Sequence, residues 1–103
     1  MENTSQLIAS AERTFAACLE LLRKKNHDYA GADDEYANFR TAEIIGLSVE
    51  KGILVRWLDK LKRIDNLLTQ EAYVTEESIE DTLRDAVNYP CILLAYLEAK
   101  RGR

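Results

Sequence analysis

Two cysteines, one histidine, one proline and four glycines are all that 103 residues contain of these types. With no CxxC pair and a single histidine, a zinc site has almost no ligands to draw on. Cys18 and Cys91 both fall in apolar, helix-like stretches, which predicts two buried thiols behaving as small hydrophobes rather than a disulfide, and with them a cytoplasmic compartment. The shortage of breakers favours long helices. No apolar run approaches the roughly 20 residues of a membrane span, and the opening segment lacks the basic start and unbroken apolar stretch of a secretion signal. There is no glycine-rich phosphate loop and no Ser or Cys nucleophile motif. Positive charge is in deficit, with a net charge of −4 and a pI near 5.0. That argues against a partner of duplex DNA or RNA, which needs a basic patch. It leaves open a small phosphorylated ligand gripped by a few local Arg and Lys.

A hydrophobic content of 47% and a charged content of 31% are those of an ordinary globular protein. At this length the expectation is one domain, residues 1–103, all-α, with a core removing about two-thirds of the unfolded surface from water. No internal repeat or low-complexity segment divides it. Apolar positions recurring at three and four predict a first helix over 5–25, through Leu7, Ala11, Phe15, Cys18 and Leu22. Residues 26–33 carry turn chemistry and read as a long polar loop. A short helix is expected from Asp33 or Asp34 to Ile45, capped by one of those Asp residues, burying Tyr36, Phe39 and Ile44 and ended by Gly46. Ser48 opens a long helix to Leu68, with Ile53, Trp57, Leu61, Ile64 and Leu68 as its stripe. Thr75 opens the last, running to Lys100 and kinked by Pro90. Beyond Pro90, residues 91–97 are apolar on nearly every side, which predicts burial all round and hence a homo-oligomer.

Three groups could carry chemistry. Glu77, Asp81 and Asp85 are spaced i, i+4, i+8; each step adds about 40° beyond a full turn, so they form one acidic row about 12 Å long. With Asp59 they could hold magnesium, an oxygen-seeking ion. Equally, they could be a solvated or ion-paired face. Arg56, Lys60 and Arg63 make a cationic fork that can grip phosphate oxygens or neutralise the acidic row. The loop adds Lys25, Asn26, His27, Tyr29, Asn38 and Arg40, with an aromatic ring to stack on a base and amides to read its edge.

These blocks resemble a known family. KKNHDYAGADDEYANFR, GILVRWLDKLKRIDNLL and ESIEDTLRDAVNYPCILLAYL look like the phage-associated family called nucleotide modification associated domain one, over about residues 23–97. The architecture is also similar to the all-α MazG-like nucleoside triphosphate pyrophosphatases, whose magnesium sits between an ExxE and an ExxD pair. In that comparison Asp85 stands for the final Asp, with Asp81 or Glu77 before it. Arg56-x-x-Asp59 takes the ExxE position with Arg for one acid. The resemblance implies a nucleotide-binding protein of a phage in its host's cytoplasm, holding a phosphorylated nucleotide or sequestering a cyclic-nucleotide defence messenger. A magnesium-dependent pyrophosphohydrolase and a non-catalytic helical adaptor are the other readings.

Overall fold

The computed structural model describes residues 5–29, 34–69 and 78–102; the side chains of residues 27–29 lie outside the description. All regular structure among the described residues is helical: α1 (Gln6–Tyr29), a single-turn α2 (Ala37–Arg40) that continues as a 3-10 turn (Thr41–Ile45), α3 (Val49–Thr69) and α4 (Ile79–Lys100). α4 is the central element. It packs along α3 and, over a shorter stretch, against α1, while α2 and the 3-10 turn sit on α3.

Local sequence explains the starts and stops. Ser48 Oγ accepts from the Lys51 amide at 3.1 Å, and Ser78 Oγ from the Asp81 amide at 3.1 Å. Each hydroxyl caps an otherwise unpaired N–H at a helix start. The 3-10 turn ends at Gly46, whose φ of 83° is left-handed and favours glycine. α4 runs as one helix through Pro90.

Ion pairs fix the antiparallel register of α3 and α4. Lys100 Nζ lies 2.6 Å from Glu50 Oε2 at one end, and Lys60 Nζ lies 3.1 Å from Asp85 Oδ2 further along. Among the described residues, Cys18, Val49, Ile53 and Ala86 are the buried apolar side chains, joined by Thr82 and Asn88. Asn88 ties α1 to α4, its Nδ2 donating to the Cys18 carbonyl at 3.1 Å. Gly52 lets α2 approach α3. A Cβ there would stand 2.9 Å from the Phe39 carbonyl oxygen and 3.0 Å from Ala42 Cβ.

Several expectations need correction. α1 continues one turn past Lys25, because nothing in residues 26–29 breaks a helix once the preceding turns are formed. The expected helix over 34–45 divides into α2 and the 3-10 turn. Asp34 caps a turn rather than a helix, its Oδ1 accepting from the Tyr36 amide at 3.0 Å. Ile44 is 84% exposed, because the tighter pitch of the 3-10 turn points it away from α3. α4 begins at Ile79 under the Ser78 cap rather than at Thr75; Thr75 and Glu77 lie outside the described residues. Cys91 is exposed, not buried, and both thiols are free. Leu94 is exposed as well, so the 91–97 stretch is not covered on every side within one chain.

Candidate functional site

Between α1, α2, α3 and α4 lies an open cleft of about 680 Å³, within the usual range for a small-molecule site. Its charged side centres on Asp85. That carboxylate is 12% exposed and receives Lys25 Nζ on Oδ1 at 2.9 Å and Lys60 Nζ on Oδ2 at 3.1 Å. Burial pushes its pKa up, but the hydrogen bonds and charges of Lys25 and Lys60 outweigh that and hold it below 3.8. Asp85 therefore stays ionised at neutral pH. Beside it, the Arg56 guanidinium stands 5.3 Å from the centre of the Phe39 ring, and one Arg56 nitrogen donates to the Asn38 carbonyl at 3.2 Å.

The rest of the wall is aromatic, apolar and amide-bearing. Tyr36, Phe39 and Tyr89 supply rings, Leu19, Leu22 and Ile92 apolar surface, and Asn26, Asn38 and Asn88 amides. Asn26 Nδ2 reaches Glu35 Oε1 at 3.3 Å, bringing the end of α1 to the segment before α2. Tyr36 meets Tyr96 edge to face, with ring centres 5.1 Å apart. The ionisable lining comprises four bases, Arg23, Lys25, Arg56 and Lys60, and two acids, Glu35 and Asp85. Four minus two leaves a surplus of two positive charges, in a chain whose net charge is −4.

Of the residues singled out in the sequence, Lys25, Asn26, Asn38, Arg56, Lys60 and Asp85 line this cleft. Arg40 is not on its wall and pairs with Asp34. Arg63 is also off the wall. The side chains of His27 and Tyr29, and all of Glu77, lie outside the described residues. The acidic row does not converge: Asp81 is 63% exposed and pairs with Arg84 at 3.2 Å, while Asp85 turns inward between its two lysines. Asp59 is exposed on α3. Among the described residues no three His, Cys, Asp or Glu side chains lie close enough to share a metal ion.

Sequence reasoning missed Tyr89, Ile92, Leu19 and Leu22 as cleft residues and read Phe39 as core. The one available signal was the position of Tyr89 and Ile92 on α4, one and two turns beyond Asp85 on neighbouring faces. Cys18, at the α1–α4 contact, is structural: burial pushes its thiol pKa up, away from nucleophilic character.

No protein family, curated protein or solved structure compared with the chain matches it.

Proposed function

We propose that this cleft binds a nucleotide-type phosphate ester: a phosphorylated nucleotide or a cyclic-nucleotide signal, held without rapid chemistry. The positive surplus in the cleft of an acidic chain carries the reading. Bases outnumber acids four to two on the cleft lining, whereas in the rest of the chain acids outnumber bases sixteen to ten. Arg56 and the two lysines offer charge-assisted donors to phosphate oxygens. Tyr36, Phe39 and Tyr89 offer faces and edges to a base, and the three asparagines offer amides to its polar rim. Asp85 keeps Lys25 and Lys60 extended towards the cleft before a ligand arrives, which lowers the entropy cost of binding. The resemblance to the phage-associated nucleotide modification domain, and a role in nucleotide metabolism or messenger sequestration, belong to the same proposal.

The test is calorimetry of the chain against deoxynucleoside triphosphates and cyclic dinucleotides, with chromatography of the ligand afterwards, with and without magnesium. Saturable binding with intact ligand recovered is the expected result. Binding of no member of either panel rejects the proposal, and magnesium-dependent pyrophosphate release turns it into the hydrolase reading. Arg56→Ala should weaken binding by about ten- to a hundred-fold, as for one charged hydrogen bond of roughly 1.5–3 kcal/mol. Arg63→Ala, off the wall, should change it far less. Equal losses in the two variants would argue against this cleft.

A further inference from the structure

The antiparallel pair α3/α4 has two sides, and the chain covers one of them. Around α3, at about 100° per residue, the line facing α4 runs through Val49, Ile53 and Lys60. Turning one way from it leads to Gly52 and Arg56, against α2 and the cleft. Turning the other way leads to Leu54, Leu58, Leu61 and Leu68. Around α4 the line facing α3 runs through Thr82 and Ala86. One way lie Asp85, Asn88 and Ile92 in the cleft; the other way lie Leu83, Val87, Pro90 and Leu94. The covered flanks share the side of the cleft, so the uncovered flanks share the opposite side. Leu58, Leu61, Leu68, Leu83 and Leu94 are between 45% and 62% exposed. Their spacing by three, four and seven is that of helices built to pack against helices.

We propose that this face is the contact between two copies of the chain. The two are related by a two-fold axis running along the helices, so that α3 of one copy lies beside α4 of its partner and the four helices form a bundle. Three observations select a second copy as the occupant. The chain exposes 7730 Å², whereas a compact monomer of 11.8 kDa exposes about 5,900 Å². The excess of about 1,800 Å², shared between this face, the open cleft, the exposed flank of α1 and the rest of the chain, is more than the roughly 800 Å² each partner gives to a standard interface. The face carries one exposed acid on α3, Asp65, and because the two-fold sets α3 against α4 that acid does not meet its own copy, as a two-fold contact requires. Its rims also complement each other. Exposed Lys51 and Lys62 border it on α3, and exposed Glu80 and Glu98 border it on α4. The register set by Glu50 and Lys100 puts Lys51 level with the partner's Glu98. The cleft opens on the far side, so assembly leaves it accessible and this inference is independent of the ligand.

Light scattering on the full chain, eluted by size exclusion at micromolar concentration, should give twice the chain mass. Leu61→Glu and Leu94→Glu, each at an already exposed site, should halve that mass while helical circular dichroism is kept. Phe15→Glu, on the exposed flank of α1, should leave it doubled. A wild-type monomer overturns the proposal, as does a dimer that survives both leucine variants or is lost in Phe15→Glu. Should the leucine variants fail to fold, charge reversal at the rim decides. Lys51→Glu is expected to raise the dimer dissociation constant several-fold and Glu98→Lys added to it to restore the original value; no loss, or no rescue, rejects the arrangement.

Discussion

Asp85 accepts from Lys25 of α1 and Lys60 of α3 at once, so one carboxylate links three helices and sets the charge of the cleft. Because its folded pKa lies below its ordinary value, its stabilisation is present above about pH 4 and is lost as the pH falls through the folded value. Asp85→Asn should therefore lower stability by about 1–3 kcal/mol at neutral pH. In urea melts at neutral and at strongly acid pH, the gap between variant and wild type should narrow at the acid end, as the wild-type carboxyl takes up its proton. An equal gap at both pH values would show that Asp85 acts through packing alone. The sequence made this residue visible as one member of an acidic row. It did not reveal that Asp85 turns inward while Asp81, one helical turn earlier, faces solvent and Arg84. That difference depends on where α1 and α3 bring their lysines.

At the scale of elements, periodicity and capping located the three long helices. Ser48 performs the capping role expected of it, and the α3 boundaries agree with expectation to within a residue. The shorter segments were less legible, because a single turn has too few periodic positions to distinguish α from 3-10 winding. The contact of α2 with α3 shows how a neighbour changes the meaning of a residue. In an isolated helix Gly52 is a weak point, and Ala would gain about 1 kcal/mol there. Here the added Cβ would press on the Phe39 carbonyl and on Ala42. Gly52→Ala should instead destabilise the fold by about 1–3 kcal/mol. It should also weaken ligand binding, since Phe39 is displaced from the cleft wall. Thermal melts and calorimetry check the two effects; a more stable variant with unchanged affinity would show that α2 yields freely.

At the scale of the whole molecule, the chain is more open than its length requires. Its radius of gyration is 16.0 Å, against about 13 Å for a compact domain of 100 residues. Apolar stripes on α1, α3 and α4 are each wider than the neighbour that covers them. In the proposed dimer, folding and association are linked equilibria, so the melting temperature should rise with protein concentration, by a few degrees over a hundred-fold range. Scanning calorimetry at two concentrations checks this, and a concentration-independent midpoint would indicate that the face stays in water.

The sequence by itself determined the helical class, the three long helices with the boundaries of α3, and the residue types that gather charge and aromatic rings. Each follows from spacing within about two turns, where the helix repeat dictates which side chains are neighbours. Only the tertiary structure decided which carboxylate turns inward, which glycine admits a neighbouring backbone, and which leucines of a continuous stripe remain uncovered. Those depend on contacts between segments distant along the chain, and no local periodicity encodes which flank of an apolar stripe a neighbouring helix will cover.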